Sequence, residues 1–150
     1  MLKLLLGLLL AVQAESPIAP EPARYLEGQV WEYRTRPGEE GSRLKIQRVE
    51  DWPGGGPGKV YHISVIGVRL GGRRNVTFLQ HLPVSELTLN ASVVRESPAG
   101  AVFPSAEEGI AMWREARGGV FDIPVAEILA VAERGLSEMP ANTGTAAPVT

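Results

Sequence analysis

Lys59–Leu70 reads KVYHISVIGVRL and is followed, after Gly71-Gly72, by RRNVTFLQHL over Arg73–Leu82. This stretch decides the fold. β-Branched and aromatic residues dominate both runs, apolar and polar positions alternate, and two glycines between them are a loop of the kind that closes a tight hairpin. With Gly71 and Gly72 as the central pair, Val65 opposes Phe78, Tyr61 opposes Leu82 and Gly67 opposes Val76, and this face meets the core. On the other face Ile66 opposes Thr77, Ser64 opposes Leu79 and His62 opposes His81. The only two histidines of the chain are then cross-strand neighbours, unless a bulge near Gly71–Arg74 separates them.

Upstream, Gln29–Thr35 alternates around Trp31 and Tyr33, and Arg43–Val49 alternates through Leu44 and Ile46, with turn residues between them. These form a second strand pair, joined to the first by a mobile glycine-rich link, Trp52–Gly58. Downstream, Ser85–Val94 is read as a helix with Ser85 as N-cap. A second helix follows the capping box Ser105-Ala106-Glu107-Glu108 and stops at Gly118-Gly119. Val120–Ile123 is extended, and a third helix starts near Pro124 and ends at Gly135, with Val125, Ile128, Leu129 and Ala132 on one stripe. The expected architecture is α+β: a four-stranded antiparallel meander of two hairpins, with about three helices covering one face of the sheet in a single domain.

The chain has 150 residues, 44% hydrophobic and 21% charged, with 15 basic and 17 acidic side chains and no cysteine. Seven of the sixteen leucines fall in the first ten residues. Met1–Ala14 carries Lys3, an apolar run over Leu4–Val12 and small residues at Val12 and Ala14, the pattern of a secretory signal peptide. The run is far shorter than the ~20 residues a spanning helix needs. The expected organisation is residues 1–14 as signal peptide, 15–24 as a proline-rich linker, 25–136 as the α+β domain and 137–150 as a disordered tail. The location is periplasmic or secreted, with no membrane span after signal cleavage. All nine aromatic residues lie between Tyr25 and Phe121, inside the expected domain.

A net charge of −2 gives no global attraction to nucleic acid, and the absence of cysteine removes disulfide, zinc-thiolate and thiol chemistry. Gly58-Lys59 resembles the end of a phosphate-binding loop, but Pro53 stands where its first glycine belongs and Val60 where its magnesium-binding hydroxyl belongs. Arg69, Arg73 and Arg74 cluster at the hairpin tip and read as a solvated turn. There is neither a Gly-x-Ser-x-Gly elbow nor an HExxH helix.

His62 and His81 are the one constellation with chemical content. Two imidazoles on one face supply two of the ligands a zinc or copper ion needs, or shift each other's protonation, while a carboxylate would have to arrive from elsewhere in the fold. No catalytic residue, metal site or cofactor is assigned on this basis.

Gly28-Gln29-Val30-Trp31, Tyr33-x-Thr35-Arg36-Pro37-Gly38-Glu39, Tyr61-His62-Ile63, His81-Leu82-Pro83-Val84-Ser85 and Gly119-Val120-Phe121 together resemble a family of small uncharacterised bacterial proteins. The resemblance implies one domain and a bacterial origin, and no activity. The expected function is a non-catalytic exported binding or accessory module of the cell envelope. Its partner is an envelope protein, met through the exposed sheet face or the Trp31 and Tyr33 surface. The alternatives are a metal-dependent or acid-base enzyme using His62 and His81, and an immunity-type inhibitor of an envelope toxin.

Overall fold

Five strands and three helices follow one another along the chain. They are β1 (Val30–Tyr33), β2 (Arg43–Asp51), β3 (Lys59–Leu70), β4 (Val76–Val84), α1 (Glu86–Ser92), β5 (Val93–Ser97), α2 (Glu107–Ala116) and α3 (Val125–Glu138). The computed structural model describes residues 24–72, 75–98 and 100–140. The signal peptide, nearly all of the linker, Arg73, Arg74 and the tail from residue 141 therefore lie outside the described residues. No helix among the described residues is long and apolar enough to cross a membrane.

The sheet is antiparallel throughout, in the order β4-β3-β2-β1-β5. It has five strands where the sequence predicts four. The fifth was hidden because Val94 continues the helical period of Leu87 and Ala91. Two adjacent β-branched residues, Val93 and Val94, instead take the extended backbone they favour. Ser92 fixes the switch: its hydroxyl donates to the Thr88 carbonyl at 2.6 Å and accepts the Val125 amide at 2.9 Å. β5 then pairs with β1, placing Arg95 opposite Glu32 in an ion pair of 2.9 Å.

The β4-to-β5 connection runs from one edge of the sheet to the other. Four strand spacings of about 4.8 Å make a flat sheet ~19 Å wide. The seven residues of α1 cover only about 10 Å. α1 and α3 pack against one face of the sheet. Tyr61, Ile63 and Val65 of β3 pack there with Leu44 and Ile46 of β2, Leu89 of α1, and Val125, Ile128 and Leu129 of α3. The Ser85 side chain accepts the Thr88 amide as N-cap, as the sequence predicts, and Pro124 precedes α3. Gly135 does not end α3, which continues to Glu138.

The prediction that the helices share one face does not hold. α2 lies on the opposite side, against β4. Val60 through Val65 of β3 are consequently all buried, at most 4% exposed, because both faces of the strand are covered. Ala106, Ile110 and Trp113 of the α2 segment complete this second layer. The Glu107 amide donates to the Ser105 hydroxyl at 3.3 Å, but the N-cap itself is Ala106 and the C-cap is Arg117 rather than Gly118.

The β3–β4 register also differs from the two-glycine hairpin. Leu70 opposes Val76, so residues 71–75 form the connection. Val65 opposes Leu79 rather than Phe78, and His62 opposes Pro83 rather than His81. Two irregularities cause this. At Gly67, with φ of 73°, β3 has extra residues, and a side chain there would stand 3.0 Å from the Ser42 Cα. Further along, the pairing passes from Ile63–Leu82 to Val65–Leu79, so β4 carries one additional residue around Gln80 and His81. Leu79 and Leu82, three apart, therefore both face the core, while Phe78 turns out to 47% exposure. A matching bulge in β2 at Gln47 lies between the Ile46–Ile63 and Arg48–His62 pairs.

Candidate functional site

The two bulges flank the same short segment of β3 and aim polar side chains under α2. Ser64 donates to the Gln80 carbonyl at 2.7 Å and accepts from the Gln47 amide group at 3.0 Å. One step along the strand, His62 is completely buried. His81 reaches it from the bulge in β4, diagonally across from the position opposite Pro83. The rings stack with centroids 5.0 Å apart at 25°, and His62 Nδ1 is 2.8 Å from His81 Nε2. The histidine pair is thus formed, through a geometry other than the direct pairing the sequence suggests.

The missing carboxylate is Glu50, near the end of β2. Its Oε1 lies 3.1 Å from His62 Nε2, and Arg114 of α2 grips both of its oxygens. An ionised carboxylate only accepts, which fixes the tautomers: His62 donates from Nε2 to Glu50, and its bare Nδ1 accepts from His81 Nε2–H. Burial pushes the pKa of His62 below the ordinary imidazole value, and Glu50 opposes the shift. Burial lowers His81 further, to about 4, assisted by repulsion from His62. Glu50 is held low chiefly by its hydrogen bond from Arg114. At neutral pH the chain is therefore Arg⁺, Glu⁻, neutral His and neutral His in series.

α2 seals this arrangement. Trp113 stands edge-on to the His62 ring, centroids 4.8 Å apart at 76°. Gly109 lets the helix approach: a Cβ there would be 2.5 Å from the His81 Cβ. Both nitrogens of His62 are engaged, and its two polar neighbours lie on opposite sides of the ring rather than converging on one point. Among the described residues no three His, Asp or Glu side chains are grouped to hold a metal ion. Chemically, the set works as a polar tie between β2, β3, β4 and α2, with His62 inaccessible to a substrate.

Trp31 and Tyr33 are buried, 7% and 5% exposed, so neither presents the surface expected of it. The Trp31 indole donates to the Gln29 side chain at 3.3 Å. The Tyr33 hydroxyl pairs with Ser42 at 2.6 Å, and burial pushes its pKa up to about 12.

Glu50 and Arg114 have a second aspect, since both border an open groove of about 670 Å³. Trp52, Asp51 and the β2–β3 loop form one side; Trp113 and Arg117 at the end of α2 form the other. The loop is no bare linker: Trp52 donates its amide to the Gly58 carbonyl at 3.4 Å, and its ring lies flat against Gly56. Trp113 rests in the same way on Gly118 and donates from Nε1 to the Gly119 carbonyl at 2.8 Å. Asp51 is paired with Lys59 at 2.6 Å. Sequence reasoning missed Glu50, Trp52, Arg114 and Arg117. The usable signal for Glu50 was its parity with Arg48 on a strand beside His62, whereas nothing local links α2 to β2.

A second recess, of about 630 Å³, lies at the hairpin end beside Gly67, Arg69, Phe78 and Glu133. Arg36 closes that end, donating to Glu39 and Glu133 at 2.5 Å each and to the Arg69 carbonyl at 3.1 Å. Comparison with family models, curated proteins and solved structures finds no match to this chain.

Proposed function

We propose that the protein is a non-catalytic binding module, exported to the cell envelope, whose ligand sits in the groove between the β2–β3 loop and the end of α2. The observation that carries this reading is the groove itself. It has the volume of a small-ligand site and brings two tryptophans, each seated on a glycine, together with a few polar groups. The histidine pair supports binding over catalysis, because its inner ring has both nitrogens engaged and no route to substrate. It acts instead as the foundation of one groove wall, holding Glu50 and, through Glu50, Arg114.

The test is an NMR titration of ¹⁵N-labelled protein with a soluble extract of bacterial envelope. The reading expects the indole N–H signals of Trp52 and Trp113 to shift while that of Trp31, buried in the core, stays in place. Shifts confined to other parts of the molecule, or none, would overturn it. Export rests on Met1–Ala14. It is checked by sequencing the amino terminus of the protein recovered from the periplasm or medium, which is expected to begin at Glu15.

A further inference from the structure

The groove has an uneven charge balance. Of its ionic side chains, Glu50 is bound by Arg114 and His62, and Asp51 by Lys59. Arg117 alone has no ion pair or side-chain hydrogen bond among the described residues, and it is exposed. One unpaired positive charge beside otherwise neutralised pairs can take a ligand with one negative charge.

The backbone at Arg117 makes the same point independently. Arg117 caps α2 in the left-handed conformation, φ 50° and ψ 52°, where its amide donates to the Arg114 carbonyl. Glycine is the residue suited to that position, and glycines follow directly at 118 and 119. Arginine thus stands at a position that glycine fills more easily, and its side chain is the unpaired one beside the groove.

The remaining groups describe the rest of the ligand. Trp52, half-buried against Gly56, offers an indole to the C–H face of a saturated ring. The other polar groups of the groove, the carboxylates of Glu50 and Asp51 and the guanidinium of Arg114, can exchange hydrogen bonds with hydroxyls. An aromatic carboxylate would satisfy Arg117 and Trp52 but bring no hydroxyl to those groups.

We infer that the groove binds an acidic saccharide, a sugar ring bearing one carboxylate, with Arg117 on the carboxylate and Trp52 under the ring. This rests on the groove being the binding site, as proposed above. The chemistry is shared by uronic acids and by carboxylated amino sugars. The test titrates the protein with trigalacturonate and, separately, with an N-acetylmuramic acid saccharide, using cellotriose and benzoate as controls and reading the Trp52 indole N–H. Saturable shifts are expected with at least one acidic saccharide, at least tenfold tighter than with either control. Which of the two binds distinguishes the sources.

Arg117→Gly is expected to keep the fold, raise thermal stability and weaken the acidic saccharide at least tenfold. Arg117→Asn, neutral and tolerant of the same backbone, is expected to weaken it equally. Equal affinity for cellotriose, equal or better binding of benzoate, or undiminished binding by both Arg117 variants would each overturn the inference. If neither acidic saccharide shifts Trp52 while envelope extract does, the ligand class is wrong and the groove stands. If the extract also leaves Trp52 unmoved, both readings fail.

Discussion

The two faces of β3 use the same strand for different purposes. Tyr61, Ile63 and Val65 point into an apolar core under α1 and α3, whereas Val60, His62 and Ser64 lie beneath α2 in a layer built largely from directed hydrogen bonds. Apolar contact is tolerant of small shifts and indifferent to protonation. The polar layer works only if each donor meets its acceptor, and it borders the groove through Glu50, Trp113 and Arg114. In this protein the core face stabilises the fold, and the polar face fixes the position of the candidate site.

Mutations on the two faces should separate these roles. Ile63→Ala, at a fully buried core position, is expected to cost about 2–5 kcal/mol in urea unfolding, with the same loss at pH 7 and pH 5. His62→Ala removes the middle of the tie, leaves His81 Nε2 without its partner and takes one of two donors from Glu50 Oε1. The expected loss is roughly 1–3 kcal/mol, accompanied by weaker ligand binding in the groove, which Ile63→Ala should not produce. A loss of binding in Ile63→Ala equal to that in His62→Ala would break the distinction.

A smaller effect sharpens the comparison through pH. Both histidines have native pKa values below the ordinary imidazole value of about 6.5, so the unfolded chain takes up protons that the native state refuses. Their contribution is full above about pH 6.5 and falls as pH drops toward the native value, about 4 for His81. Between about pH 6.5 and 5 carboxylates remain mostly ionised in both states, so this window isolates the imidazoles. The urea midpoint should fall across it in the native sequence and stay nearly flat in a His62→Leu/His81→Leu double variant. The smallest expected change is a gain: Arg117→Gly relieves the left-handed backbone and should add roughly 1 kcal/mol, read as a higher melting temperature.

How much of this the sequence carried depended on whether the deciding information was local. The limits of β3, the Ser85 cap and the start of α3 at Pro124 follow from alternation and capping chemistry, which neighbouring residues determine. The histidine pair was legible because His62 and His81 keep the same facing despite the altered register: an offset of two residues preserves the face. The bulges at Gln47, Gly67 and around Gln80–His81 were not legible, since each answers to a partner strand or loop elsewhere in the chain. β5 was lost because Val94 fits a helical stripe with Leu87 and Ala91 as well as a strand. The placement of α2 on the far face depends on Trp113, Gly109 and Arg114 meeting His62, His81 and Glu50, contacts that span 28 to 64 positions of sequence. That single placement supplies both the cover over the histidines and one wall of the groove.

The most direct test of the account is the protonation of the histidine pair itself, followed by ¹⁵N–¹H correlation of the imidazole rings from pH 7.5 to 4. Both rings are expected to be neutral at pH 7, His62 carrying its proton on Nε2 with a bare Nδ1, His81 carrying its proton on Nε2, and His81 titrating at about 4. A cationic ring at pH 7, or titration of His81 at the ordinary value, would contradict the closed tie on which the polar face of β3 depends.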